Sequence, residues 1–319
     1  MKLEKINNVL VIGAGIMGEG IVQNFAQAGY SVQVVARRQE TLDNCVKQIE
    51  HNVKQFEEFN LLTDKPKSIM NRIKAVRAEN LAQAIKDCDY VLETVPEVLE
   101  TKKDIFAQLD TLPADVVIGS NTGSFTITDL TAGLKNPGRV VGIHYFNPAH
   151  IIPAVEIHRG KQTSDDAVQL CKELMLKVGK KPILVKKELP GFVVNRITGA
   201  MEREIDYLLD NDVTTPEELD IALKGSFGFR LACLGPMEAE DFIGLDTAMR
   251  VSERVFKGLS NATGPSPKLV EKVQKGELGF KSGIGWYDYR NRSKEEVVEE
   301  RNKKLLRQLA LFMSMDKKR

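Results

Sequence analysis

The sequence predicts an α/β protein: a doubly wound, mostly parallel sheet over residues 1–187, followed by an all-α domain over residues 188–319. Short apolar runs alternate with helix-length polar segments up to residue 185, a glycine turn opens the first helix, and the strand pattern stops before Phe192. Such alternation gives parallel strands joined by crossover helices, with ligands taken up off the carboxyl ends of the strands.

Val9-Leu10-Val11-Ile12 reads as a buried first strand. Gly13-Ala14-Gly15-Ile16-Met17-Gly18 then spells G-x-G-x-x-G, and Glu19 to Ala26 continue as a helix. Strand, glycine turn and helix in that order bind a dinucleotide: Gly13 permits the tight turn, Gly15 lets a pyrophosphate approach, and Gly18 packs helix on strand. The helix N-terminus offers amide donors and a partial positive charge to the phosphates. Gly13, Gly15, Ile16, Met17 and Gly18 are therefore expected at a cofactor. The competing reading is a glycine-tightened turn without a ligand.

Ser31 to Ala36 reads as the second strand. A carboxylate at its end would accept from the ribose hydroxyls of NAD. Here Ala36-Arg37-Arg38 stands instead, with no acid before Glu40. Two guanidinium groups suit a 2′-phosphate, which favours NADP over NAD and adds Arg37 and Arg38 to the cofactor site. A helix follows from Glu40 to about Asn60, and Asp64 to Ser68, with Pro66, reads as a connection. Tyr90 to Glu93 is a short strand closed by Pro96-Glu97, and Leu99 to Leu109 a helix. Strands follow at Val116–Ser120, Val140–His144 and Ala154–Ile157, and the strand pattern stops near Lys181–Val185. After Pro190-Gly191 the pattern is helical: Asn195 to Leu209, a helix capped by Thr215 with Pro216 at its first position, Pro236 to about Phe256, and a charged tail from Ser293.

Lysine and arginine number 45 against 44 acidic residues, a net charge of +1. That gives no electrostatic footprint for nucleic acid or an anionic membrane. Cys45, Cys88, Cys171 and Cys233 are scattered without metal-ligand spacing, so no metal site and no disulfide framework is expected. Free thiols, a first strand close to the N-terminus and no membrane-length apolar run point to a cytoplasmic protein.

His144 stands at a strand end on the ligand side, with Glu156 twelve residues later at the matching depth of the next strand. A histidine braced by a carboxylate is a ready general base for a hydroxyl proton, as hydride transfer to a nicotinamide requires. A lone histidine after an apolar strand is more often structural, and the spacing alone leaves both readings open. Asn195 opens a helix and could bind a substrate oxygen or satisfy the helix end. His51 reads as solvated and His150 as a turn residue. His158 shares the face of Glu156 and reads as structural.

With these residues in place, the chain resembles the L-3-hydroxyacyl-CoA dehydrogenase family. The resemblance rests on Gly13 to Gly18 with Gly20, Ser120-Asn121-Thr122, His144-Tyr145-Phe146-Asn147-Pro148 with Val155-Glu156, and Pro190 to Arg196. Asp241 to Asp246 and Lys281 to Tyr287 extend it. It implies a Rossmann domain followed by a helical substrate and dimerisation domain, a homodimer, and a small-molecule substrate carried as a CoA thioester. It also implies His144 and Glu156 as the catalytic pair, Asn195 and Ser120 near the substrate oxygens, and nicotinamide contacts at Glu97, Lys102, Asn147 and Lys281. The reaction implied interconverts a 3-hydroxyacyl group and its 3-oxo form with NAD(P).

The sequence departs from that pattern in places. Ala36 takes the place of the second-strand acid, and Gly123 that of a substrate serine. Asn52 and Phe59 fall where a serine and a lysine hold CoA. Pro153 resembles the branch containing carnitine and gulonate dehydrogenases. A free 3-hydroxy acid or sugar acid is therefore the alternative substrate, and a non-catalytic dinucleotide-binding protein the alternative class.

Overall fold

The computed structural model describes residues 2–316. Among these, eight strands form one sheet: β1 (Asn8–Ile12), β2 (Ser31–Ala36), β3 (Ile73–Arg77), β4 (Tyr90–Glu93), β5 (Val117–Ser120), β6 (Val140–Tyr145), β7 (Ala154–Arg159) and β8 (Lys181–Val185). Their order is β3-β2-β1-β4-β5-β6-β7-β8. Strands β1 to β6 are parallel; β7 pairs antiparallel with β6, and β8 parallel with β7. Because β1 lies between β2 and β4, the connections leaving β1 and β4 diverge, and a crevice opens off their carboxyl ends.

Alternate side chains of each strand feed opposite faces of the sheet. Val9, Val11, Tyr90 and Leu92 face one core, built with α1 (Ile16–Gln27), α2 (Gln39–Glu58) and α3 (Pro66–Met70). Leu10, Ile12 and Val91 face the other, built with α4 (Leu81–Lys86), α5 (Leu99–Leu109) and α6 (Ile127–Leu130). The first core is completed by α7 (Asp165–Lys177), whose cap Ser164 accepts from the Ala167 amide. Removing each of these large apolar side chains from water is worth about 1.5–3 kcal/mol, which fixes the strand register.

Two elements correct the sequence reading. The stretch after Asp64 is a short helix, α3, with Pro66 in its first turn, and then edge strand β3, where Val76 is the buried residue. A half-exposed edge strand carrying Lys74 and Arg77 lacks the apolar signature that marked its neighbours.

The described residues form two compact units, 2–195 with 305–310, and 196–304 with 311–316. The second unit takes its helices from α8 (Val194–Asp210), α9 (Pro216–Gly225), α10 (Phe227–Leu231), α11 (Pro236–Ile243), α12 (Leu245–Val255), α13 (Pro267–Gln274) and α14 (Lys294–Asp316). Thr215 accepts from the Glu218 amide and caps α9. The helix expected from Pro236 to Phe256 is two helices: Gly244, at φ 95°, ends one and starts the next. Within the first unit, Leu306 and Leu309 of α14 are buried against Phe56 and Ile151.

Candidate active site

A cavity of about 1070 Å³ opens at the carboxyl ends of the strands. Gly13, Gly15, Ile16, Met17, Arg37, Arg38, Glu97, His144, Asn147 and Asn195 all line it. The turn after β1 forms its floor. Gly13 holds φ +120°, and a Cβ there would stand 2.4 Å from the Thr94 carbonyl oxygen, so the β1 and β4 ends approach too closely for any side chain. Gly15 is the opposite case: a Cβ there would meet no heavy atom within 4 Å. Gly15 is the N-cap of α1 and supplies no side chain to its first-turn amides. Open space in front of a helix N-terminus is what a pyrophosphate fills, so the residues present fit a dinucleotide. Gly18 lies inside α1 and is buried, away from the lining. Arg37 and Arg38 are exposed on the rim beyond Ala36, and Glu97 is the acid of the lining.

The β6–β7 pair sets the chemistry. Its register places His144 opposite Glu156. His144 Nδ1 lies 2.8 Å from Glu156 Oε2. The other oxygen, Oε1, accepts from the Val193 amide at 2.9 Å and the Val194 amide at 2.8 Å. Burial pushes the Glu156 carboxyl up, but His144 and these two amides outweigh it and hold it below its ordinary value. A carboxylate on Nδ1 assigns the proton to that nitrogen and leaves Nε2 as acceptor. Nε2 faces the loop after β5: a Cβ on Gly123 would stand 3.1 Å from it and 3.8 Å from Asn195 Nδ2. His144, Asn195 and the glycine thus border one open point of the cavity.

A second network lies below. Glu93, at the end of β4, and Lys102, on α5, are fully buried, with Lys102 Nζ 2.8 Å from Glu93 Oε1 and 3.2 Å from Glu97 Oε2. The Ser120 hydroxyl donates to Glu93 Oε2 at 2.6 Å. Glu97 Oε1 accepts from the Thr122 hydroxyl at 2.5 Å and from the Gly123 and Ser124 amides at 3.1 and 3.0 Å. Burial pushes Glu97 up, yet the Thr122 bond, the Lys102 charge and Ser124 leave it below its usual value. Ser120 and Lys102 are both fully buried, and a buried carboxylate at the β4 end, with no cation on its own strand, takes both. Lys281 lies on an exposed loop of the second unit.

Sequence reasoning placed Asn121 in a motif but gave it no role. Its Oδ1 accepts from the Tyr145 amide at 2.9 Å and its Nδ2 donates to Thr94 Oγ1 at 3.0 Å, tying the ends of three neighbouring strands. An asparagine directly after a buried strand was the available signal.

The model of the 3-hydroxyacyl-CoA dehydrogenase NAD binding domain matches residues 8–189, and that of the family's C-terminal domain residues 191–289. The chain belongs to the 3-hydroxyacyl-CoA dehydrogenase family. It is an NAD(P)-linked oxidoreductase of CH–OH groups. A probable 3-hydroxybutyryl-CoA dehydrogenase of Deinococcus radiodurans is 38% identical over 88% of this chain and 99% of its own. A 5-formyl-3-hydroxy-2-methylpyridine 4-carboxylate 5-dehydrogenase of Mesorhizobium japonicum is 33% identical over 94% of this chain and 96% of its own. A crystal structure of an enzyme of that latter name, described as an NAD⁺-dependent dismutase, superposes with a TM-score of 0.89 at 29% identity, covering 97% of this chain and 99% of that one. Among the described residues no group of histidine, cysteine and acidic side chains could hold a metal ion, and no helix is long and apolar enough to cross a membrane.

Proposed function

We propose that the protein oxidises a 3-hydroxyacyl-CoA to its 3-oxo form, and reduces it in reverse, with His144 as general base. The observation that carries this is the 2.8 Å contact of His144 Nδ1 with Glu156 at the cavity wall. It leaves Nε2 to accept the proton of a substrate hydroxyl. Glu156, held as a carboxylate by two amides, stabilises the imidazolium that forms. Asn195 Nδ2 donates to the substrate oxygen. Gly13, Gly15, Ile16 and Met17 hold the pyrophosphate, and Arg37 and Arg38 hold a 2′-phosphate, which favours NADP. Asn147 and Glu97 line the nicotinamide end, Glu97 also fixing the Thr122–Ser124 loop. A bound nicotinamide supplies the hydride acceptor.

A second reading, a carboxylic acid substrate without CoA, is favoured by residues 52 and 59. These are the positions where the resemblance put the CoA-holding serine and lysine. Asn52 is 1% exposed, and Phe59 packs on the cluster formed by Phe56, Ile151, Leu306 and Leu309. The relative from Mesorhizobium japonicum, named for a pyridine carboxylate, points the same way.

A homodimer formed through the second unit is part of the proposal. That unit exposes Phe229 at 75%, Phe242 at 78% and Phe256 at 69%, surface that a second copy would cover.

The deciding experiment is a steady-state dehydrogenase assay that crosses NAD and NADP with 3-hydroxybutyryl-CoA and free carnitine. Turnover of the thioester alone supports the first reading, and turnover of the free acid alone the second. Dinucleotide binding with no turnover of either makes the protein a binding module.

A further inference from the structure

His158 takes no part in the chemistry above, yet it is 1% exposed and lies two residues beyond Glu156 on β7. Its place is made by a glycine. In the β6–β7 register Gly142 stands opposite His158, and a Cβ on Gly142 would fall 2.0 Å from the His158 ring. The imidazole occupies the space that any other residue at 142 would fill.

From that slot the ring lies flat against Phe192, centroids 3.8 Å apart and planes 28° from parallel. Neither ring nitrogen makes a well-formed hydrogen bond, although backbone of Thr122 lies nearby. Burial first, and His144 second, push His158 down to about 3, so the ring is neutral and presents its flat face to Phe192.

Phe192 is itself 2% exposed and holds φ 49°, a left-handed backbone that a bulky residue adopts only when its surroundings impose it. The residues that follow it are Val193 and Val194, whose amides both donate to Glu156 Oε1. Glu156 in turn meets His144, whose ring lies 5.8 Å from that of Phe192. Gly142, His158, Phe192, the two amides, Glu156 and His144 form one continuous chain of contacts.

We propose that His158 is a positioning residue. By stacking on Phe192 it sets the left-handed turn that delivers both amides to Glu156, and so fixes the orientation of His144. The role rests on the reading of His144 as general base. What it requires of residue 158 is a flat ring of the right thickness, not a titrating group.

Two variants of similar bulk separate shape from volume. In His158→Phe the flat face is kept, and kcat should stay within about threefold of wild type. In His158→Leu the volume is kept and the plane lost, and kcat should fall about 10–100-fold with the cofactor KM unchanged, as a small misplacement of a catalytic group does. Phe192→Ala should lose as much as His158→Leu, and the double variant no more than the worse single one. A crystal structure of each cofactor-free variant reads the geometry without turnover. The Val193 amide should stay near 2.9 Å from Glu156 in His158→Phe and lie beyond 3.5 Å in His158→Leu. Equal loss in the Phe and Leu variants, losses that add with Phe192→Ala, or both amide contacts intact in His158→Leu would overturn the proposal. If wild type itself turns over no 3-hydroxy substrate, the general-base reading fails, and the amide distances still decide the brace.

Discussion

Lys102 Nζ lies 2.8 Å from Glu93 Oε1, and neither side chain has any exposed surface. Burial pushes the Glu93 carboxyl up, while Lys102, Ser120 and the Val95 amide pull it down. Removing the cation strands a buried carboxylate. Lys102→Met should lower unfolding stability by about 3–5 kcal/mol in urea titration. A loss below about 1 kcal/mol would place the pair among those that contribute little.

Gly15 separates binding from folding. Its backbone is extended at φ −83°, and a Cβ would meet nothing within 4 Å. Gly15→Ala should therefore leave stability within about 0.5 kcal/mol of wild type. The new methyl group occupies the pyrophosphate's approach, so dinucleotide Kd, measured by calorimetry, should rise at least about tenfold. Unchanged affinity would remove the glycine turn from the cofactor site.

Arg37 and Arg38 test cofactor choice. A charge-assisted bond to a 2′-phosphate is worth about 1.5–3 kcal/mol, so Arg37→Ala should weaken NADP about 10–100-fold and NAD hardly at all. Equal effects on the two dinucleotides would mean that the pair is only a solvated rim.

Lys180 gives a pH signature. It donates to the Ala149 and Ile152 carbonyls at 2.6 and 2.8 Å, and burial pushes it down to about 7 from 10.5. Above 10.5 neither state is protonated, and below 7 both are. Between those values the unfolded chain binds the extra proton, so stability rises with pH by up to about 1.4 kcal/mol per unit. Urea midpoints from pH 7 to 9 should climb in wild type relative to Lys180→Met. Parallel curves would contradict the burial argument.

Most of the sheet was legible because its inner strands are runs of Val, Ile and Leu that can only be buried. Edge strand β3 was not, because Ile73 to Arg77 buries little more than Val76 and spends two of its five positions on cations. Gly244 was invisible as a break because the apolar period continues across it while φ reverses. At the site, His144 and Glu156 could be paired by counting along two strands. The burial of Lys102 and Ser120 against Glu93 could not be read by the same means. Leu99 to Leu109 reads as an ordinary amphipathic helix, and nothing local says that Glu93 waits beneath it. The brace on Glu156 was hidden for a related reason: Val193, Val194 and Phe192 act through backbone direction and ring stacking, which residue type does not encode.

His144→Gln is the most direct measurement. It keeps the size and one polar contact while removing the base, so kcat should fall by about 10²–10⁴-fold with dinucleotide Kd unchanged. Turnover at the wild-type rate in that variant would show that the proton leaves the substrate by another route, and that the His144–Glu156 pair serves the sheet rather than the reaction.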